Sequence, residues 1–409
     1  MADVSFQAEL DRRWSVGADG VPALVDWILS QSAGRDASDL HIEPRENDIL
    51  LRWRRDGCLT DAGVGSGPLR GNIVQRIKVL AGLLTYRTDI PQDGRITGSS
   101  LNGIMDMRVS VYPAALGEKV VVRFFQGGTG KGNANSENPT QAQPEMSLEE
   151  LGLLPADYQK LSEFLSRSQG MVLLTGPAGS GKTTTLYAAL RHIVTQAKGT
   201  RQIVTIEDPV ERIIHGVTHT EIKPAAGLDY PAALKALLRQ DPETIMIGEI
   251  RDGDTAQVAI HAALTGHLIL STVHAPSGPE VLLRLLHLGI EPYLLASVVS
   301  AVLDQRLVRR LCERCKNLEP ESGAGAFKAV GCAECIQTGY KGRMLIAELL
   351  PVEGAVRAAV LARKDSLELM SAAGSLGWRV LWSRGVERTA EGLTTYAELR
   401  RVLNASQVR

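Results

Sequence analysis

Met171-Val-Leu-Leu-Thr-Gly-Pro-Ala-Gly-Ser-Gly-Lys-Thr-Thr-Thr185 runs from four apolar residues into a glycine-rich loop, and from there into a helix-like run that reaches His192. Residues 176–183 fit the pattern G-x-x-x-x-G-K-[ST], and the order strand, loop, helix start is the context that this pattern requires. The candidate phosphate cradle is Gly176, Pro177, Ala178, Gly179, Ser180, Gly181, Lys182, Thr183 and Thr184. Loop N–H groups there can aim at phosphate oxygens, helped by the positive end of the helix dipole. Lys182 can reach the β- and γ-phosphates, and the Thr183 hydroxyl can hold Mg²⁺. A glycine-rich turn with an incidental lysine would leave the strand and helix context unexplained.

Binding a nucleotide is not hydrolysing it. Hydrolysis also needs a carboxylate to orient water, a second group near Mg²⁺, and positive charge on the transferring phosphoryl. Ile203-Val-Thr-Ile206 reads as a short strand that ends in Glu207-Asp208-Pro209. Thr244-Ile-Met-Ile247 reads as another, ending in Gly248-Glu249-Ile250-Arg251-Asp252. Carboxylates at the C-terminal ends of parallel strands face the ligand crevice. Glu207 and Glu249 are therefore candidate catalytic groups, with Glu249 also a candidate contact for Mg²⁺. His267 and His274 bracket a third apolar strand, where either can contact the γ-phosphate.

The chain has 409 residues, 44% hydrophobic and 22% charged, which predicts two or three domains with a sizeable core. A net charge of −1 and 4% aromatic residues argue against direct nucleic-acid binding through a basic, aromatic surface. The start, Met-Ala-Asp-Val-Ser, carries no apolar signal region. The longest apolar region, 281–303, is broken by Arg284, His287 and Glu291 and reads as core helix rather than membrane span. A cytoplasmic chain that meets membrane only through partners is expected.

Cys312-Glu-Arg-Cys315 and Cys332-Ala-Glu-Cys335 are separated by 16 residues. In a reducing compartment that spacing predicts a closed Zn²⁺ site of four thiolates, structural rather than catalytic. Cys58 stands apart and reads as a small packed side chain.

The organisation expected is a short N-terminal segment, 1–20, then a mixed α/β domain over 21–126, with a helix over 21–31 and alternating strands near 39–43, 49–54, 105–111 and 120–125. Residues 127–146, rich in Gly, Asn and Ser, read as a flexible linker. A second α/β domain, 147–409, opens with the capping box Ser147-Leu-Glu-Glu150. It includes the cysteine module over 311–343 and a helical tail over 344–409.

These motifs together resemble the type II secretion and type IV pilus assembly ATPases, the GspE/PilB branch. Ala37-Ser-Asp-Leu-His-Ile-Glu-Pro44, Arg52-Trp-Arg-Arg-Asp-Gly57, Pro91-Gln-Asp-Gly-Arg-Ile96, Asp106-Met-Arg-Val-Ser110 and Gly117-Glu-Lys-Val-Val-Val-Arg123 are similar to signatures of that family's N2 domain. Thr205–Glu211 is similar to its Asp box, Leu238–Asp252 to its atypical Walker B segment with glycine at 248, and Thr265–His274 to its His box. The resemblance implies an N-terminal PAS-like N2 domain joined to a RecA-like P-loop ATPase domain with a Cys₄ zinc module. It implies a homohexameric ring using ATP, Mg²⁺ and Zn²⁺, with Arg95 and Arg108, and in addition Arg123, approaching the phosphates. The implied partners are an inner-membrane platform and cytoplasmic docking proteins. A nucleic-acid translocase on the same P-loop core is the alternative that a Cys₄ module keeps open.

Overall fold

A computed structural model describes residues 4–97, 106–124, 146–318 and 327–403. The chain divides into two compact units, Met1–Pro144 and Glu145–Arg409. The expected linker, 127–146, lies outside the described residues except for Met146, as does the stretch 319–326 of the cysteine module.

The first unit holds α1 (Val4–Trp14), α2 (Val21–Gly34), β1 (Asp39–Pro44), β2 (Asp48–Arg55), β3 (Cys58–Ser66), α3 (Arg70–Leu80), β4 (Gln92–Ile96), β5 (Met107–Ala114) and β6 (Gly117–Phe124). The strands form one antiparallel sheet in the order β3-β2-β1-β6-β5-β4. In β5, Met107, Val109 and Val111 are buried while Arg108, Ser110 and Tyr112 are exposed. This is the period-2 alternation of a sheet with one covered face. Ile28 of α2 and Ile73 and Ile77 of α3 share a core with Leu40, Ile42, Val109 and Val122. Packing does not begin at residue 21: Phe6 and Leu10 of α1 are buried, and Phe6 stacks on Trp27 at 4.8 Å and meets Trp53 edge-on at 4.7 Å. Helix spacing of these apolar residues joins residues 4–14 to the domain that follows them.

The second unit is a sheet wound on both faces. Its elements are α4 (Pro155–Ser166), β7 (Gly170–Thr175), α5 (Lys182–Ala197), β8 (Ile203–Glu207), β9 (Thr218–Glu221), α6 (Tyr230–Leu237), β10 (Thr244–Ile250), α7 (Gly253–Leu264), β11 (Leu268–Val273), α8 (Gly278–His287), α9 (Pro292–Val298) and β12 (Val299–Leu311). A two-stranded ribbon, β13 (Asn317–Leu318) with β14 (Phe327–Lys328), precedes β15 (Tyr340–Pro351), and α10 (Gly354–Leu361), α11 (Ser366–Ser375), α12 (Leu381–Ala390) and α13 (Tyr396–Val402) follow. The sheet order is β15-β12-β7-β11-β10-β8-β9, parallel except for the β12–β15 pair. All six residues of β7 are buried. Met171 and Leu173 join the core made with α6 to α9, while Val172 and Leu174 join the core made with α5. Burial on both faces is why the strand reads as a continuous apolar run. Among the described residues no helix is long and apolar enough to cross a membrane.

Two expectations are corrected here. The apolar region 281–303 is not one helix. It is the end of α8, then α9, then the start of β12, because Gly289 adopts φ +89° and Pro292 starts a new helix. The tail is not helical from residue 344: Met344–Pro351 continue β15, which pairs with β12 from Leu311↔Tyr340 to Ala301↔Pro351. The capping box at Ser147 closes with both reciprocal bonds, Ser147 N–H to Glu150 and Glu150 N–H to Ser147, but it starts a single 3₁₀ turn.

Glu398 fixes the last helix to the sheet. It is 1% exposed, accepts the Arg309 backbone N–H at 2.9 Å, and binds the guanidinium groups of Arg309 at 2.8 Å and Arg401 at 2.6 Å. Burial raises its affinity for a proton, but hydrogen bonds from Arg401 and Arg309 outweigh that and hold the carboxyl below the ordinary 4.5. A depressed native value means stabilisation that is present above the unfolded value and lost as pH falls through the native one. Glu398→Ala should cost about 2 kcal/mol at pH 7, less than the ~3–5 kcal/mol of a fully buried pair because the arginines reach solvent. The wild-type advantage over Glu398→Ala in urea midpoint should shrink as pH falls below about 4.5. A difference that is unchanged at acid pH would show that the ion pairs contribute nothing.

Candidate nucleotide site

The loop between β7 and α5 carries the first group of candidate residues. Gly176 adopts φ +141°, and a Cβ there would lie 2.4 Å from the Gln305 carbonyl oxygen. Gly181, φ +89°, is the N-cap of α5. Only glycine meets both demands, close approach at 176 and left-handed backbone at 181. The loop is held from behind by β12: the buried Gln305 side-chain amide donates to the Ser180 carbonyl at 2.8 Å. Lys182 folds over the loop and donates to the carbonyls of Gly176 at 2.7 Å and Pro177 at 2.9 Å. Burial and the neighbouring Arg306 pull its ammonium below the usual lysine range, while Glu249 and Asp304 act the other way. Glu249 and Lys182 thus share one electrostatic environment. Pro177, Ala178 and Gly179 are exposed at the loop crest, and Thr183 and Thr184 stand on the first turn of α5.

Glu249 near the end of β10 is paired with Arg251, and His274 Nε2 lies 3.5 Å from its Oε2. Gly248 sits where an aspartate is common because the space is taken: a Cβ would be 2.9 Å from the Tyr230 hydroxyl and 3.4 Å from the Ile206 carbonyl oxygen. The Thr272 hydroxyl of β11 donates to the Gly248 carbonyl at 2.8 Å and fixes this strand end. Thr175 in turn exchanges hydrogen bonds with Ala275, tying the loop's strand to the segment after His274.

Glu207 at the end of β8 is buried and accepts hydrogen bonds from Tyr187 at 2.5 Å, Thr205 at 2.6 Å and His219 at 2.8 Å. His267 is not part of this group. Leu268 pairs with Gly170 at the start of β7, so His267 lies at the opposite end of the strands, ~20 Å along β11 from His274. Its Nδ1 is 2.8 Å from the Ala262 carbonyl, where it closes the turn after α7. The alternation that brackets a strand with two histidines cannot say which end faces a ligand; the chain direction through the parallel sheet does.

Several residues were missed by sequence reasoning. Tyr187 falls four residues after Thr183, on the same face of α5. His219 lies on β9, which has no apolar pattern. Gln305 and Arg306 on β12 touch the loop across more than 120 residues of chain. Arg306 is buried, paired with Asp304, and donates to the Gln305 and Pro276 carbonyls at 2.9 Å each. Glu348, opposite Asp304 across β12–β15, is buried, and burial with the nearby Asp304 charge pushes its carboxyl well above the ordinary range.

The four module cysteines converge. All four Sγ atoms lie within 4.8 Å of one another, with Cys312–Cys332 at 3.9 Å and both Cys315–Cys335 and Cys332–Cys335 at 3.8 Å. A tetrahedron with Zn–S of ~2.3 Å has edges of ~3.8 Å, so the donor set fits that ion. Backbone N–H groups of Gly331, Cys332 and Gly339 point at these sulfurs, as thiolates require.

In the first unit, Arg95 stands directly opposite Arg108, Arg108 opposite Arg123, Arg123 opposite Asp39, and Asp39 opposite Arg54. One row crosses five strands. Arg95 pairs with Asp106 at 2.6 Å, Arg108 with Asp93 at 3.9 Å, and Arg123 with Asp39 at 2.9 Å. Arg54 joins the row through the β1–β2 register.

A family model described as type II/IV secretion system protein matches residues 15–401. The chain belongs to that family. It is 41% identical to the type II secretion system protein HxcR of Pseudomonas aeruginosa over 386 residues, 94% of this chain and 78% of the relative. It is 37% identical to the type IV pilus assembly ATPase PilB of Thermus thermophilus over 390 residues, covering 92% of this chain and 42% of that longer protein. The Legionella pneumophila ATPase DotB has the same fold, with a TM-score of 0.66 at 18% identity over 93% of this chain and 95% of that one. The resemblance read from the motifs is thereby shown, and the chain is an ATP-hydrolysing enzyme of the secretion and pilus-assembly kind.

The packing at Gly248 generates a test independent of turnover. Gly248→Ala should lower the nucleotide-free thermal midpoint by the equivalent of about 1 kcal/mol as Tyr230 shifts. Gly248→Asp should cost more, since it adds a carboxylate beside Glu207 and Glu249. Aspartate tolerated as well as alanine would remove crowding and charge as the reason for the glycine.

Proposed function

We propose that this chain is the subunit of a homohexameric ring ATPase that powers assembly of a type II secretion pseudopilus or a type IV pilus at the inner membrane. The observation that carries the reading is that the Lys182 loop, His274 and Glu249 stand at the same end of the neighbouring parallel strands β7, β11 and β10, in a chain of this family. Residues 176–184 would cradle the phosphates of ATP, with Lys182 moving from loop carbonyls to phosphate oxygens. Thr183 and Glu249 would hold Mg²⁺, whose charge offsets that developing on the phosphoryl oxygens. Glu249 and Glu207 orient the attacking water, and His274 contacts the γ-phosphate. Arg95 and Arg108, on the N2 unit at 21–126, supply positive charge from outside the ATPase domain at 147–409. Placing like charges opposite one another costs stability, which a site for anions would offset. The Cys₄ module would hold Zn²⁺ as a structural ion. The chain would work in the cytoplasm and touch the membrane through a platform and docking proteins, with no direct nucleic-acid partner.

Lys182→Ala should abolish ATP turnover, and Glu249→Gln should keep nucleotide binding while lowering kcat at least ~100-fold. Turnover per subunit should rise with protein concentration as the ring assembles, followed by light scattering. Arg108→Ala should lower kcat without unfolding either unit. A fully active monomer indifferent to Arg108→Ala, or turnover that requires DNA or RNA, would overturn the ring-motor reading.

Metal analysis should find one zinc per chain, lost in the Cys312→Ser, Cys332→Ser double variant. A zinc-free parental protein, or zinc that survives the double variant, would refute the assignment.

A further inference from the structure

Glu207 is surrounded by donors that come from three different elements. Thr205, two residues back on β8, shares its face of the strand and donates to Oε1 at 2.6 Å. Tyr187, from the helix that follows the phosphate loop, donates to Oε2 at 2.5 Å. His219, from β9, places Nδ1 2.8 Å from Oε1 and 2.9 Å from the Thr205 oxygen. Both side chains of the His219–Glu207 pair are almost wholly buried, 2% and 5% exposed.

The tautomer of His219 follows from its other nitrogen. The Ile214 backbone N–H points at Nε2 from 3.0 Å. A backbone N–H can only donate, so Nε2 is the unprotonated nitrogen and the ring proton sits on Nδ1. The imidazole is then neutral and gives its single proton to Oε1 of Glu207. The Thr205 hydroxyl also spends its proton on Oε1. An ionised carboxylate has about four lone-pair sites. Three are taken, and the remaining one is on Oε2, the oxygen that Tyr187 ties to α5.

We infer that His219 is a positioning residue for Glu207: a neutral imidazole, protonated at Nδ1, that locks the carboxylate so that a single Oε2 lone pair is left for water. This rests on the ATPase reading, in which Glu207 serves the water. Tyr187 lies one helical turn after Thr183, so the same clamp ties the carboxylate to the helix that starts at the phosphate loop. Loss of His219 removes a donor and lets the carboxylate turn about its last torsion; it does not touch the loop that binds nucleotide. The two acidic strand ends thus differ in freedom. Glu249 faces solvent-exposed partners, Arg251 and the half-exposed His274. Glu207 is fixed.

The test uses the full chain. ¹⁵N-histidine spectra, with His219→Asn to assign the signal, should show the Nδ1–H tautomer at position 219 in the parental protein. His219→Leu should lower kcat about 10- to 100-fold with KM for ATP changed by less than about 2-fold, the signature of a group that acts beyond ground-state binding. His219→Asn should recover most of that loss, because its Nδ2 lies as many bonds from the backbone as Nδ1 and can donate to Oε1. An Nε2–H tautomer, a His219→Leu protein with parental kcat, equal losses in the leucine and asparagine variants, or a rise in KM alone would each overturn the assignment. If His219→Leu fails to fold, the tautomer decides. Turnover that survives Lys182→Ala would sink the ATPase reading, while the tautomer, measured without turnover, would still stand or fall by itself.

Discussion

The second unit depends on one constraint: a strand buried on both faces must turn into a helix within the few residues of one loop. Burial of β7 fixes where the loop starts, and two apolar layers hold the strand in place. Gly176 lets the backbone pass within contact distance of β12, and Gly181 turns it into the first turn of α5. A helix N-terminus leaves several N–H groups without partners, which is what a phosphate can satisfy. The Gln305 amide on the Ser180 carbonyl and the Lys182 ammonium on the Gly176 carbonyl brace the loop.

The strand order then distributes the chemistry. β11 lies beside β7, β10 beside β11 and β8 beside β10, so His274, Glu249 and Glu207 stand in sequence away from the loop. Each strand end is held by its neighbour's side chains: Thr272 on the Gly248 carbonyl, Thr175 on Ala275. Side chains so fixed lose little freedom when a ligand arrives, which is how a rigid scaffold positions groups on loops and strand ends. Behind the loop, Arg306 and Asp304 form a buried pair, and Arg306 also donates to the carbonyls of Gln305 on β12 and of Pro276. Breaking one half of such a pair would leave the other charge uncompensated.

In the first unit the covered face of the sheet is conventional core, and the other face is charged. Four arginines share a row across five strands with one aspartate. Exposed ion pairs contribute about 0–1 kcal/mol each, so the row is not there to hold the fold together. The core beneath it, from Phe6 of α1 to Phe124 of β6, does that.

Much was legible because it is written in local patterns. The loop motif, its strand and helix context, the acidic strand ends and the paired cysteines each lie within a few residues of chain, where spacing alone carries physical meaning. The alternation in β5 and the apolar run of β7 separate a one-sided sheet from a two-sided one. Other features were decided only by contacts between distant segments. His267 and His274 are equivalent in spacing, and only the direction of β11 puts one of them beside Glu249. Residues 344–351 carry an apolar run that fits helix or strand, and pairing with β12 chose strand. Arg54 joined the arginine row through register, which a one-residue slip would reverse. Tyr187, His219, Gln305 and Arg306 gave no local signal, since a hydrogen-bond donor is assigned to its acceptor by geometry and not by position in the chain. Sequence determined which groups are present and how each strand is buried; tertiary structure decided which of those groups meet, because long-range pairing, not local propensity, sets the distances over which charge and hydrogen bonding act.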